Sequence, residues 1–171
     1  FGNGINIETN YDFLGRVSYI LEKNKFGNVL WSEKYIYNSD GKIEKIIDSD
    51  ENNIIYEYDL AGRIVEVNYF RNNESWFEKF SYDNNGNRIM ETNPLEEVYY
   101  EYDAENRMVK KGDINFLYDK NNNLIEKKSS SVSEKYFYNS LNFLTNYILL
   151  NEKNNTYDSV CFSYDGFGRR T

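Results

Sequence analysis

The chain has 171 residues and a formal net charge of −8 at pH 7, so nucleic acid and anionic lipid surfaces are electrostatically poor partners. Aromatic residues make up 18% of the sequence, which argues against disorder although the mean hydropathy is −0.79. The sequence has no histidine, which excludes Ser-His-Asp triads, Cys-His pairs and HExxH zinc sites within it.

The predicted elements are eight copies of one short pattern, each marked by a tyrosine followed by Asp or Asn. We call this tyrosine the anchor and count positions forward from it. In chain order, copies 1 to 8 have the anchors Tyr11, Tyr37, Tyr58, Tyr82, Tyr102, Tyr118, Tyr138 and Tyr164. The fourth position is occupied by residues that tolerate positive φ, namely Gly15, Gly41, Gly62, Gly86, Asn106, Asn122, Asn142 and Gly168.

Each copy has the pattern of a β-hairpin. The Asp or Asn after the anchor begins a type I turn and accepts hydrogen bonds from amides two or three residues further on, while the left-handed fourth position adds a bulge. Every copy except the first also has an aromatic residue two places before the anchor. Because strand side chains alternate, both rings lie on one face of the strand that enters the turn. An apolar residue such as Val17 or Ile43 then begins the returning strand.

Polar stretches between the copies predict the turns at the opposite ends of the hairpins. These stretches are Lys23 to Asn28, Asp48 to Asn53, Arg71 to Ser75, Thr92 to Glu97, Ser129 to Ser133 and Asn151 to Asn155. The predicted fold is therefore all-β, a series of consecutive antiparallel hairpins with little helix. Because about 16 strands exceed the roughly 10 that an open sheet holds without curling, we expect a curved, spiralling or partly barrel-like sheet.

The sequence predicts one segment of about eight repeat units over residues 1–171. It begins with Phe1 instead of Met and shows neither a signal peptide nor a run of about 18 apolar residues. We therefore expect a fragment of a longer polypeptide. The exposed edge strands of such a fragment predict edge-to-edge pairing between two molecules.

One stretch of the sequence is similar to a calcium-binding loop. The run from Asp48 to Asn52 resembles the start of a calcium loop, with Ile55 and Asp59 at suitable offsets. The sixth position is Asn53 instead of Gly, and the flanks resemble strands instead of helices. This pattern favours a solvated turn, so no metal ligand is predicted.

Other side chains that can carry chemistry also favour structural interpretations, and we predict neither catalytic nor cofactor-binding residues. Acidic groups scattered on strand exteriors are commoner than paired glycosidase carboxylates. Cys161 cannot form an internal disulfide and is interpreted as a strand residue. The carboxylates weighed are Glu96 with Glu97 and Glu51 with Glu57, and chance matches to glycosylation sequons begin at Asn73 and Asn154.

Five stretches resemble the YD repeats of Rhs proteins, insecticidal toxin-complex C components and teneurins. They are YDFLGRV (Tyr11 to Val17), YDLAGRI (Tyr58 to Ile64), YDNNGNRI (Tyr82 to Ile89), YDAENRM (Tyr102 to Met108) and YDGFGRR (Tyr164 to Arg170). The resemblance covers essentially the whole chain. It implies a β-ribbon wound into a hollow shell, which in bacterial members encloses a toxic domain and in teneurins is a cell-surface scaffold. Asn at the fourth position of three copies, and Asn123 and Phe143 where Arg is usual, depart from the family pattern.

The resemblance implies a non-catalytic wall segment of a large secreted or surface-exposed protein, whose partners are the rest of its own polypeptide and an enclosed effector. No nucleic acid, membrane insertion or cofactor is expected. The alternative function is a carbohydrate- or wall-binding array, because exposed aromatic rings also stack on sugars. The two tryptophans, Trp31 and Trp76, stand outside the aromatic columns of the repeat.

Overall fold

The computed structural model describes residues 4–171, and all of its regular secondary structure is β-strand. The strands are β1 (Asn6–Tyr11), β2 (Val17–Lys23), β3 (Val29–Tyr37), β4 (Ile43–Asp48), β5 (Asn53–Tyr58), β6 (Ile64–Arg71), β7 (Glu74–Tyr82), β8 (Arg88–Thr92), β9 (Glu97–Tyr102), β10 (Met108–Lys111), β11 (Ile114–Tyr118), β12 (Leu124–Lys128), β13 (Val132–Tyr138), β14 (Leu144–Asn151) and β15 (Thr156–Cys161). They follow chain order in the sheet. The predicted fold class, all-β with consecutive antiparallel hairpins and little helix, is confirmed for the described residues, which contain no helix.

The chain divides into two compact units. Of the described residues, the first unit contains 4–81 and 91–97, and the second contains 82–90 and 98–171. Within the first unit, β1 to β7 pair antiparallel in succession. Within the second, β9 to β15 do the same. Among the described residues, no helix is long and apolar enough to cross a bilayer.

The anchor turns form as predicted. In copy 1 the amide of Gly15 donates to the carbonyl of Asp12 at 3.0 Å, and the register shifts at the bulge beside Tyr11. The fourth position is left-handed even where it is Asn, with φ of 59° at Asn106, 67° at Asn122 and 61° at Asn142. Asn therefore replaces Gly without changing the turn.

The strand count is 15 and not 16 because the returning strand of copy 8 is reduced to one bridge. Tyr164 pairs with Arg170 as an isolated antiparallel bridge, with the Gly168 turn between them. The hydrogen-bonding of a hairpin is nevertheless present, since the amide of Asp165 donates to the carbonyl of Arg169 at 3.0 Å. All eight predicted anchor turns thus reverse the chain.

The opposite turns differ from one another, and sequence reasoning missed one of them. Lys111 pairs with Ile114, so Gly112 and Asp113 form a two-residue turn that was not predicted, although Lys110 to Asp113 is polar. The turn predicted from Arg71 to Ser75 is also shorter than expected, since Arg71 pairs with Glu74. Two-residue turns need left-handed residues, and Gly112 with φ 57° supplies one. These differences account for the uneven spacing of the anchors.

Very few side chains are buried. Among residues 4–171, only Val67, Tyr100, Ser32 and Ser133 fall in the buried class, at 4%, 7%, 7% and 1% exposure. Most strand residues are half-buried by their neighbours in the sheet. A strand in either unit is therefore stabilised by contacts along the sheet, from cross-strand side-chain pairs and ladder hydrogen bonds.

The left-handed glycines give a direct test of the turn geometry. Gly15 has φ +77° and open space where a Cβ would stand, so Gly15→Ala adds backbone strain without a clash. We expect it to lower the free energy of unfolding by about 1 kcal/mol, measured by urea denaturation. Gly166→Ala is the matched control, because Gly166 has equal space and lies outside the left-handed region. Equal effects of the two substitutions would contradict the account.

Candidate functional site: the interlocked turn edge

The Asp or Asn after each anchor organises its own turn. In copy 1, Oδ1 of Asp12 accepts hydrogen bonds from the amides of Leu14 at 2.9 Å and Arg16 at 3.0 Å. The amides are two and four residues on, not two and three as predicted. Asn38 and Asn139 accept the same pair of bonds in copies 2 and 7. An amide oxygen therefore replaces the carboxylate in this role.

The second carboxylate oxygen binds the residue at the fifth position. Nε of Arg63 donates to Oδ2 of Asp59 at 2.7 Å, and the same bond recurs from Arg16, Arg107 and Arg169 to the Asp of their own copies. In copies 4 and 6, the amide groups of Asn87 and Asn123 take this place at 3.0 and 2.9 Å. In these six copies the fifth position is thus a hydrogen-bond donor fixed by its own turn.

These hydrogen bonds lower the pKa values of the turn carboxyls. Bonds from the backbone amide and the guanidinium of Arg63 hold the pKa of Asp59 below its ordinary value. The side chain of Asn123 does the same for the pKa of Asp119. Because both carboxyls favour their charged forms when folded, the anchor turns are stabilised by ionisation.

The anchor tyrosines link each hairpin to the one before it. The hydroxyl of Tyr37 donates to the backbone carbonyl of Val17, the residue that begins the returning strand of copy 1, at 2.7 Å. The same bond occurs along both units at 2.7 to 3.0 Å, from Tyr58 to Ile43, Tyr102 to Arg88, Tyr118 to Met108, Tyr138 to Leu124 and Tyr164 to Leu144. The tyrosine that recurs in the sequence therefore forms a hydrogen bond between neighbouring copies.

The fifth-position side chain covers the anchor ring of the next copy. The guanidinium carbon of Arg16 lies 4.1 Å from the ring centre of Tyr37, and that of Arg107 lies 5.0 Å from the ring centre of Tyr118. These are cation–π distances. In copy 7 the ring of Phe143 takes the same place and stacks on Tyr164 with centres 4.9 Å apart.

Where the fourth position is Asn, its carbonyl oxygen accepts a bond from the preceding copy. Nδ2 of Asn87 donates to Oδ1 of Asn106 at 2.9 Å, and Nδ2 of Asn123 donates to Oδ1 of Asn142 at 2.9 Å. The guanidinium of Arg107 donates to Asn122 at 2.7 Å. The fourth and fifth positions of adjacent copies are therefore matched to each other along the turn edge.

Two carboxylates bind tyrosines on the anchor face, which is the face of the sheet that carries the anchor rings. The repeat pattern does not predict these contacts. Glu134 accepts from Tyr136 at 2.8 Å, from Tyr147 at 3.1 Å and from Lys127 at 2.7 Å, and these bonds, led by that of Lys127, lower its pKa. In the first unit the hydroxyl of Tyr35 donates to Glu33, which raises the pKa of Tyr35 to about 12. Glu and Tyr two residues apart on a strand share a face, and this spacing is the only sequence pattern that indicates these hydrogen bonds.

The calcium-like stretch is a turn of the same kind as the anchor turns. Oδ1 of Asp48 accepts from the amides of Asp50 at 2.8 Å and Asn52 at 3.0 Å, and Oδ2 accepts from the side chain of Asn52 at 2.8 Å. Glu51 supplies the left-handed position with φ 63°. The Asp48 carboxylate therefore accepts hydrogen bonds from its own turn.

The carboxylates weighed as pairs lie at strand ends and turns. Glu51 is the left-handed residue of the turn before β5 and Glu57 lies within β5, while Glu96 directly precedes Glu97, the first residue of β9. Among residues 4–171 no group of three or more His, Cys, Asp or Glu is placed to hold a metal. Cys161 is an exposed free thiol at the end of β15.

Trp31 and Trp76 lie in strands of the first unit, outside the anchor columns. Trp76 pairs with Tyr69 across β6 and β7, and the two rings stack with centres 5.1 Å apart and planes 9° from parallel. Trp31 pairs with Glu22 across β2 and β3. Sequence reasoning named both tryptophans but not the Tyr69 partner, because the pairing depends on the short turn between β6 and β7.

Comparison with known proteins gives one family and a shared fold. The family model for the teneurin YD-shell matches residues 5–171. The crystal structure of TcdB2-TccC3-Cdc42 is similar with a TM-score of 0.71 and 15% identity, over 96% of this chain and 11% of that chain. The Photorhabdus luminescens Tc holotoxin pore with a mutated TccC3 has a TM-score of 0.67 and 15% identity, over 97% and 12%. None of the curated proteins matches this sequence.

The turn carboxyls predict a specific pH dependence. Because the folded pKa of Asp59 lies below its unfolded value near 3.9, its contribution to stability is present above that value and is lost as the pH falls through the folded pKa. Asp59→Asn keeps an amide acceptor, as Asn38 does, but cannot titrate. We expect the urea midpoint of this variant to fall less than that of the wild type between about pH 5 and pH 3.

The control for this measurement is Asp158→Asn, which removes an equal charge from the exposed edge strand β15. It should leave the pH dependence of the urea midpoint as in the wild type. The same pH dependence in the Asp59→Asn variant and the wild type would show that the turn carboxyl does not stabilise the fold by ionisation.

Proposed function

The chain belongs to the teneurin YD-shell family, and we propose that it is a non-catalytic wall segment of a larger secreted or surface-exposed protein. In this proposal the wall is part of a shell that encloses an effector or toxin domain. The chain spans about one ninth of the length of the two solved chains that it resembles. The enclosed domain and the location of the whole protein are therefore proposals drawn from the family.

The observation that carries this proposal is the bond from the anchor hydroxyl to the preceding copy, which is present at six of the eight anchors. Tyr118, for example, donates to the carbonyl of Met108 at 2.9 Å while its ring faces Arg107. The residues that define the repeat are thus used to join one hairpin to the next. Such a chain of nearest-neighbour links suits a wall that extends by repetition.

Exposed apolar side chains at the turns support a place in a larger assembly. Phe13, Leu60 and Phe167 lie at the tips of anchor turns and are 92%, 110% and 88% exposed. Turn tips in an isolated soluble protein are usually polar, and exposed apolar groups mark interaction surfaces. In the proposed shell, further parts of the same polypeptide cover these tips.

Pairing between molecules through the sheet edges stays a prediction. Every residue of β1 and of β15 is exposed. Unpaired strand edges favour addition of another strand, so an isolated chain of this length should associate through them.

The alternative function, a glycan-binding array built from the column tyrosines, has less support. The hydroxyl of Tyr37 is engaged by the Val17 carbonyl, and its ring is covered by Arg16. An array would need these hydroxyls and ring faces to be open to a sugar. The rings of Trp31 and Trp76 lie outside these anchor contacts.

Limited proteolysis of the parent polypeptide tests the proposed wall. The combined variant Tyr118→Phe, Tyr138→Phe and Tyr164→Phe removes three bonds between copies, each worth about 1 kcal/mol. If opening of the wall controls access, the enclosed domain should be cleaved roughly 100-fold faster in this variant.

Tyr157→Phe is the matched control, because Tyr157 lies on the edge strand β15 and is 69% exposed. It should leave the cleavage rate unchanged. Cleavage of the enclosed domain at the same rate in the wild type and the triple variant would contradict the role of this segment as an enclosing wall.

A further inference from the structure

We propose that a cleft on the anchor face of the first unit binds a neutral saccharide. The cleft has a volume of about 260 Å³, and its walls include Tyr69, Trp76, Glu33, Asp48 and Arg71. None of these residues is an anchor or belongs to an anchor turn. The proposal is therefore independent of the wall function.

The floor of the cleft is apolar because of the strand register. Ile46 on β4 pairs with Ile54 on β5, and Ile54 pairs with Tyr69 on β6. Tyr69 pairs in turn with Trp76 on β7. Residues that pair directly across strands share a face of the sheet, so isoleucines and aromatic rings form one continuous surface.

One wall of the cleft is a preformed aromatic platform. The rings of Tyr69 and Trp76 are parallel within 9° and 5.1 Å apart, and Trp76 is 39% exposed. The hydroxyl of Tyr69 donates to Glu78 at 3.3 Å, which orients the phenol. The stacking fixes the Trp76 ring before binding, and the exposed part of that ring can contact the apolar face of a sugar ring.

The polar groups around the platform include both acceptors and donors. Glu33 pairs with Asp48 across β3 and β4, and one oxygen of Glu33 accepts from Tyr35. Burial opposes ionisation of Asp48, but bonds from the Asn52 side chain and the turn amides, with the positive charge of Arg71, hold its pKa below the ordinary value. The remaining Glu33 oxygen is an acceptor for a hydroxyl, and the exposed guanidinium of Arg71 is a donor.

This combination favours a neutral sugar over other ligands. Two carboxylates beside one guanidinium oppose phosphate and other anions, as does the net charge of −8. The apolar floor and stacked rings suit the carbon face of a pyranose, while fixed acceptors and donors suit its hydroxyls. Ligand sites commonly combine apolar walls with a few placed polar groups.

The two tryptophans provide the experiment. Trp31 has nearly the same exposure as Trp76, 37% against 39%, and does not line the cleft. Trp31→Phe leaves Trp76 as the only tryptophan and so gives a fluorescence reporter of the cleft. We expect titration with N,N′-diacetylchitobiose, cellobiose or maltotriose to change the Trp76 emission of the 171-residue chain with a Kd of about 1 mM.

Substitution within the cleft supplies the second arm of the test. Tyr69→Ala and Glu33→Gln in the Trp31→Phe background should each weaken binding about 10-fold, with circular dichroism confirming that the sheet is retained. Because Tyr69→Ala removes half of the stack, Glu33→Gln, which keeps the side-chain shape, preserves the test if the first variant unfolds.

The outcomes are distinguishable. No emission change with any of the three sugars up to about 20 mM would overturn the proposal. The proposal would also be overturned if lysine methyl ester binds and the sugars do not, because the cleft would then be a cation site. Binding that is lost in Trp31→Phe and kept in Trp76→Phe would also contradict it. None of these results bears on the proteolysis of the parent protein.

Discussion

The hydrogen bond from an anchor hydroxyl to the backbone of the preceding hairpin is the interaction on which the rest of this structure depends. Within residues 4–171 only four side chains are buried, so neither unit has a core that would order its hairpins. An isolated two-stranded hairpin is marginal in water. A bond such as that from Tyr138 to Leu124 joins side chain to main chain across the boundary between hairpins, where it adds to the ladder bonds and to side-chain bonds such as that from Asn123 to Asn142.

Contacts across the same boundary between hairpins explain two residues that depart from the family pattern. Asn123 and Phe143 stand where the repeat usually has Arg, yet each is suited to the copy that follows. Asn123 donates to Asn142, and Phe143 stacks on Tyr164. At Gly168 an added Cβ would come within 2.9 Å of Phe143, so the glycine and the ring are matched. A substitution in one copy is therefore matched by the residue that it contacts in the next copy. This match cannot be seen in the sequence of a single repeat.

The sequence predicted the repeated part of the fold and not the variable part. All eight anchor turns were located, because their chemistry is local: an acceptor after the anchor and a left-handed residue at the fourth position. The Gly112-Asp113 turn was missed, although Lys110 to Asp113 is polar and the 16-residue spacing between Tyr102 and Tyr118 required a very short connection. A spacing argument would have found it.

The functional contacts were harder to predict than the turns. That the tyrosine hydroxyl binds the neighbouring copy cannot be inferred from one hairpin, because the partner is a backbone carbonyl and backbone atoms leave no sequence signal. The Tyr69 and Trp76 stack depends on the register fixed by the Asn72-Asn73 turn, which was predicted longer than it is. In both cases the missing information was the relation between strands that are not joined by an anchor turn.

Native-state hydrogen exchange of Tyr118→Phe tests the central claim most directly. If the hydroxyl couples copies 5 and 6, its loss should speed exchange about fivefold at the amides of Asn106 and of Asn122, one in each copy's turn, and leave Gly15 in copy 1 unchanged. Faster exchange confined to Asn122, or no change at either turn, would show that neighbouring hairpins are held together by the strand ladder and not by the anchor tyrosine.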